Sequence, residues 1–249
     1  MISDKTFRID GKKIPFQDGD TIMDAALRAG EYIPHLCHNP EFKPNGSCRV
    51  CVIETNGRHV SACNQPAIEN MEVDNSSDAI MNLRRSLLQM LFVEGNHVCP
   101  ACEKSGACQL QAVAYYTRML SPHLTHFFPC RDVDATHPEI AIDFNRCILC
   151  KLCVRASRDV DKKNVFFISG RGINSRLVIN SPSGKLGDSD VAVTDKAVAV
   201  CPVGAILPKH KGYEKPIGER MYDNKPISIV GDVAAKFSSK IYSKDVSTK

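Results

Sequence analysis

Twelve cysteines stand in the 249 residues, and eleven of them are spaced like metal ligands rather than scattered. Cys147, Cys150 and Cys153 form a CxxCxxC run, and Cys201, followed by Pro202, stands far downstream. In bacterial two-cluster ferredoxins the run continues to a fourth cysteine before a proline, which binds a second cluster. Ser157 holds that place here, so Cys201 serves the first triplet and the set predicts one [4Fe–4S] cluster. Cys37, Cys48, Cys51 and Cys63 are a CxxC pair with one outlying cysteine on each side. That is one four-thiolate site, fit for a [2Fe–2S] cluster, with structural zinc as the alternative. Plant-type ferredoxins use C-x4-C-x2-C and a distant fourth ligand, and the first gap here is longer. Cys99, Cys102 and Cys108 are spaced C-x2-C-x5-C with no fourth cysteine nearby, so a four-ligand [4Fe–4S] site needs His97, two residues upstream. A neutral imidazole in place of a thiolate raises the net charge of a cluster and moves its potential upward. The alternative is that His97 only donates a hydrogen bond beside the site. His35 and His38 flank Cys37, where four thiolates are already present, and are expected beside the ligands or on the surface. Cys130 has no partner at ligand spacing and is expected as a structural or surface thiol.

The chain's setting decides how the cysteines are read. The N-terminus shows no basic region, apolar core or small-residue cleavage site, and no apolar stretch approaches the roughly 20 residues of a membrane span. The chain therefore reads as cytoplasmic and without a membrane anchor. In a reducing cytosol a disulfide framework is a poor explanation for so many thiols, and cluster ligation is the default. A formal charge of +4, with basic residues dispersed and few aromatics among them, gives no nucleic-acid footprint. Lys209, Lys211 and Lys215 read as a solvated loop.

These ligands need elements to hold them. Residues 6–10 and 12–16 alternate around Asp10-Gly11 and predict a β-hairpin. A helix follows, capped by Asp20 or Thr21, carried by Ile22, Ala25, Ala26 and Ala29, and stopped by Gly30. Strands are expected at 49–54 and 58–63, joined through Asn56-Gly57, so that Cys63 closes a strand and returns to the CxxC pair. A last strand near 71–73 completes the order of a β-grasp domain. Ser77 then caps a long helix with Ile80, Leu83, Leu87, Leu88, Leu91 and Phe92 on one face, ended by Gly95. A second helical stretch runs to about Arg118, before a loop rich in proline and histidine. Short strands near 165–168 and 177–179 separate the last two cysteine motifs. The expected class is α+β. Its parts are a β-grasp [2Fe–2S] ferredoxin domain at 1–78, a helical His/Cys [4Fe–4S] domain at 79–138, a ferredoxin-like [4Fe–4S] domain at 139–210 and an extended tail at 211–249. Within the tail, residues 217–227 suit either docking along a neighbouring subunit or surface packing.

Three stretches, taken together, carry a family resemblance: Glu94-Gly-Asn-His-Val-Cys-Pro-Ala-Cys-Glu-Lys-Ser-Gly-Ala-Cys-Gln-Leu-Gln111, Arg146-Cys-Ile-Leu-Cys-Lys-Leu-Cys-Val-Arg-Ala-Ser-Arg-Asp-Val-Asp161 and Cys201-Pro-Val-Gly-Ala-Ile206. The chain resembles, over roughly residues 1–225, the small diaphorase subunit of bidirectional NAD-reducing [NiFe] hydrogenases. That subunit is itself similar to the N-terminal part of the large peripheral-arm subunit of respiratory complex I. The resemblance implies a [2Fe–2S] cluster on Cys37, Cys48, Cys51 and Cys63. It implies one [4Fe–4S] cluster on His97, Cys99, Cys102 and Cys108, and another on Cys147, Cys150, Cys153 and Cys201. In complex I the ligating histidine stands four residues before the first cysteine of its group, where this chain has Gly95.

No site for independent chemistry is visible. Gly170-Arg-Gly172-Ile-Asn-Ser175 has serine where a dinucleotide fingerprint needs its third glycine, and a strand rather than a helix is expected after it. The resemblance implies a wire between partners. Electrons from H2, oxidised at [NiFe] hydrogenase small and large subunits, pass to a flavin subunit carrying FMN that reduces NAD (H2 + NAD+ = NADH + H+). The alternatives are the equivalent subunit of an NAD-dependent formate dehydrogenase or complex I relative, whose chains typically continue into a molybdopterin-type domain, and a zinc-stabilised scaffold.

Overall fold

The computed structural model describes residues 5–232. Strands β1 (Thr6–Ile9) and β2 (Lys12–Pro15) form the first hairpin, with Asp10 at φ 50° and Gly11 at φ 80°. Two successive positive φ angles give a turn whose twist matches that of the strands. Helix α1 (Ile22–Arg28) starts in a capping box: Thr21 Oγ1 accepts from the Asp24 amide, and the Asp24 carboxylate accepts from the Thr21 amide. Its inner face, Ile22, Met23, Ala25 and Ala26, is buried against Phe7, Ile9, Ile14 and Phe16. Strands β3 (Val52–Thr55) and β4 (Arg58–Ser61) pair through the Asn56-Gly57 turn, and β5 (Glu72–Val73) lies parallel to β1 in a sheet ordered β2-β1-β5. The second hairpin is shorter than expected, and Cys63 lies two residues beyond β4 rather than at its end.

Ser77 caps helix α2 (Asp78–Val93) by accepting from the Ile80 amide, and the helix ends at Glu94, one residue before Gly95. Its buried stripe is Ile80, Arg84, Leu88 and Val93, while Leu83, expected inside, is exposed. Arg84 is wholly buried because its guanidinium donates to the carbonyls of Val52 and Asn75 and to Asn75 Oδ1, which leaves Leu83 facing out. Helix α3 (Gln109–Tyr116) follows the second cysteine group.

Strand β6 (Val133–Asp134) emerges from the loop expected to be irregular, and next come β7 (Ile140–Asp143) and α4 (Leu152–Asp159). The hairpin β8 (Phe166–Ser169) and β9 (Arg176–Ile179), helix α5 (Lys196–Ala199) and strand β10 (Ile206–Pro208) complete this part. The sheet order β10-β7-β6 draws β6 from the segment assigned to the second unit. Asp134 fixes it there: its carboxylate accepts from the Leu186 amide and the Thr136 hydroxyl.

Residues 211–232 do not form an extended arm. They fold back so that helix α6 (Ile227–Val230) packs on α3, with Ile227 fully buried and Ile217 exposed. The Tyr222 amide donates to the Gly106 carbonyl, and Asp232 is buried. Residues 233–249 of the expected tail lie outside the described residues.

Candidate iron–sulfur sites

At the first group the β3–β4 hairpin does the positioning. Cys51 directly precedes β3, the Ala62 amide donates to the Cys51 carbonyl, and the sulfurs of Cys51 and Cys63 stand 3.4 Å apart. Cys37 and Cys48 form a second pair, in which the Cys48 amide donates to Cys37 Sγ at 3.5 Å. Arg49, in the left-handed region at φ 59°, turns the chain between the two pairs. The hydrogen bond from the Cys48 thiol holds the Cys37 thiol down at about 5 and pushes Cys48 up; Cys63 does the same for Cys51, held at about 7. Two thiol pairs suit two irons, because a tetrahedral iron carrying two bridging sulfides takes two thiolates. Among the described residues no three His, Cys, Asp or Glu side chains are gathered as ligands of a single metal ion.

The flanking histidines are both buried, neither on the surface. His35 Nδ1 donates to the Ile33 carbonyl and Nε2 to the Asp232 carboxylate, each at 2.7 Å. Burial opposes its charge, but the carboxylate outweighs that and holds the imidazole above its ordinary value. His38 stacks edge-on against it, and burial, aided by the His35 charge, lowers it to about 4.

At the second group, His97, Cys99, Cys102 and Cys108 line one cavity with Phe92, Leu110, Arg146 and Gly204. Cys99 opens a short 3-10 turn that carries Cys102 at its end, and Cys108 sits at the head of α3. His97 Nε2 is buried without a hydrogen-bond partner, an orphaned acceptor in a cavity walled by thiols. Burial and then the Arg146 charge lower His97 to about 4, so its imidazole is neutral and able to ligate. Gly95 makes room for the histidine: a Cβ there would stand 2.7 Å from His97 Nε2 and 2.8 Å from the Asn145 carbonyl. Any side chain at position 95 is therefore excluded by the His97 ring and the Asn145 carbonyl.

At the third group, Cys147, Cys150, Cys153 and Cys201 line a cavity with Leu149, Ile168, Leu177 and Val203. Leu149 and Lys151 are both in the left-handed region, so the run winds tightly, and the backbone amides of Leu149 and Leu152 work to lower the Cys147 and Cys150 thiols against the burial that raises them. Alternating backbone hands aim amides inward and make a concavity for negative charge. Burial pushes the Cys147 thiol up to about 11 and the Cys108 thiol to about 12, so iron, not solvent, must take the place of these protons. Ser157, at the place of a fourth ferredoxin cysteine, faces away and accepts from the Val165 amide at 2.8 Å.

Three contacts, none signalled by the sequence patterns, join the groups. Arg155 of α4 donates to the Cys37 and Lys43 carbonyls and lies over the Phe42 ring, tying the third group to the first. Gln109 Nε2 donates to the His35 carbonyl, tying the second group to the first. Arg146, next to Cys147, reaches Cys102 Sγ at 3.6 Å. Cys130 is exposed on the rim of a cavity of about 560 Å³ that reaches Cys147.

Residues 5–78 match the family described as a 2Fe-2S iron-sulfur cluster binding domain, 84–123 the NADH-ubiquinone oxidoreductase-G iron-sulfur binding region, and 140–207 the 4Fe-4S single cluster domain. The gamma subunit of the NAD-reducing hydrogenase HoxS of Cupriavidus necator is 40% identical over 216 residues, covering 86% of this chain and 92% of that protein. The NADP-reducing hydrogenase subunit HndD of Solidesulfovibrio fructosivorans is 33% identical, and this chain spans 36% of its length. A crystal structure of an NAD+-reducing [NiFe]-hydrogenase in the H2-reduced state contains a chain that is 50% identical, with a TM-score of 0.88 over 91% of this chain and 97% of that one. With its three kinds of iron–sulfur region in the same order, this chain belongs to the family of NAD-reducing hydrogenase gamma subunits.

Proposed function

We propose that this chain is the electron-relay subunit of an NAD-reducing [NiFe] hydrogenase, standing between the hydrogenase small and large subunits and a flavin subunit that reduces NAD. One observation carries the reading: cysteines of all three groups share one continuous core, in which Arg155 beside the third group bonds the Cys37 carbonyl and Arg146 reaches Cys102. The clusters, when bound, supply reversible one-electron oxidation and reduction. The chain's residues supply the rest. Cys37, Cys48, Cys51 and Cys63 hold a [2Fe–2S] cluster as two pairs. His97, Cys99, Cys102 and Cys108 hold one [4Fe–4S] cluster, and Cys147, Cys150, Cys153 and Cys201 the other. Leu149, Ile168, Leu177 and Val203 keep water from the last site and so favour transfer within the protein. The Arg155 bond to the Cys37 carbonyl, and the Arg146 bridge to Cys102, support a spatial order with the third group in the middle. No FMN, NAD or nickel site belongs to this chain in that reading.

We assign residues 1–78 to a β-grasp ferredoxin domain, 79–138 to the His/Cys [4Fe–4S] domain, 139–210 to the ferredoxin-like domain and 211–249 to the C-terminal tail. The parallel pairing of β5 with β1 beneath α1 supports the first of these. Among the described residues no helix is long and apolar enough to cross a membrane, and twelve unpaired thiols suit a reducing cytoplasm.

The test is anaerobic purification of the assembled complex. Expected are about ten irons and ten acid-labile sulfides in this chain, and H2-dependent reduction of NAD. Stoichiometric zinc without sulfide overturns the reading.

A further inference from the structure

Arg146 occupies a place that neither ligation nor core packing requires. It immediately precedes Cys147 of the third group, yet its guanidinium points into the second group's cavity. One terminal nitrogen lies 3.6 Å from Cys102 Sγ, 3.1 Å from Glu103 Oε2 and 3.4 Å from the Gly204 carbonyl, while Nε pairs with Asp143 at 2.9 Å. The approach is built rather than incidental. A Cβ on Gly204 would stand 2.6 Å from Cys102 Sγ, so only glycine lets the loop after Cys201 lie against the second group's ligand and leaves the guanidinium its place between them.

Resting on the relay reading above, we infer that Arg146 is a positioning residue that sets the redox balance between the two [4Fe–4S] sites. A cation donating a hydrogen bond to one thiolate stabilises the added electron at that site more than at its neighbour. The guanidinium keeps its proton throughout and supplies no electron; its fixed positive charge lies on the side of the second group. Glu103 and Asp143 work against it: each carboxylate offsets part of that charge, and Glu103 shares the nitrogen that faces Cys102. The neutral His97 ligand and the Arg146 cation act in the same direction, each raising the potential of the second site above what it would be without them.

The experiment is an EPR-monitored redox titration of the assembled complex carrying Arg146→Gln, Arg146→Lys or Glu103→Gln. In Arg146→Gln the signal altered by His97 substitution should move to lower potential, its reduced-to-oxidised ratio at a fixed potential falling by about tenfold, the scale of one charge-assisted hydrogen bond. Arg146→Lys, which keeps charge but not the fork, should fall less, and Glu103→Gln should move the same signal upward. Opposite signs from the two partners of one ion pair are not produced by a general loosening of the fold. If all signals keep their potentials, or if both [4Fe–4S] signals move equally, the inference is overturned while the relay reading stands. If the wild-type complex carries no [4Fe–4S] signals, the relay reading itself fails. Should Arg146→Gln prevent assembly, Glu103→Gln and Arg146→Lys still decide the matter.

Discussion

At the scale of single residues, spacing nominated His97 but did not show its surroundings. A triplet of cysteines short by one ligand nominates the nearby histidine, but spacing cannot reveal that its Nε2 is the buried, unpartnered atom or that Gly95 makes room for it. Replacing His97 with alanine should alter one [4Fe–4S] signal and leave the [2Fe–2S] signal unchanged in low-temperature EPR. Gly95→Ala should reproduce that selective change with every ligand intact, because the new methyl group would stand against His97 Nε2 and the Asn145 carbonyl. A Gly95→Ala complex with a normal spectrum would remove the steric account of the room that Gly95 leaves for the histidine.

At the scale of elements, turn and cap chemistry read correctly from sequence where it is local. Asp10-Gly11, Asn56-Gly57, Thr21 and Ser77 do what their side chains and φ preferences dictate. Helix α2 shows where that reading stops. Periodicity counts apolar residues, so it placed Leu83 inside and was silent on Arg84; the structure exposes Leu83 and buries Arg84, because the carbonyls of Val52 and Asn75 end where a donor must meet them. Arg84→Ala leaves those acceptors buried without a donor beside a cavity and should cost about 3 kcal/mol, read from denaturant unfolding under anaerobic conditions. Leu83→Ser should stay within about 0.5 kcal/mol. The loop holding β6 failed for a similar reason: a two-residue strand has no periodicity to detect, and beyond its pairing with β7 it is held by the Asp134 bond to the distant Leu186 amide.

At the scale of the whole molecule, the proposed order of the sites in space departs from their order in the chain, with the group last in sequence between the other two. Cys150→Ser should therefore abolish H2-driven NAD reduction while the flavin partner still reduces artificial acceptors from NADH; a complex that keeps coupled turnover would show that electrons bypass the central site. The returning tail was the least legible feature, because residues 211–232 lack periodicity and gain their structure from α3 and from His35. Asp232→Ala leaves the His35 charge buried without its carboxylate and should lower stability by about 3 kcal/mol, with earlier cleavage of the tail in limited proteolysis. The His35–Asp232 contact spans 197 positions of the chain. At ordinary translation speeds the ribosome needs about 10 to 40 s to make that stretch. The bond that closes over the loop presenting Cys37 therefore cannot form until long after all four cysteines of that site have been made.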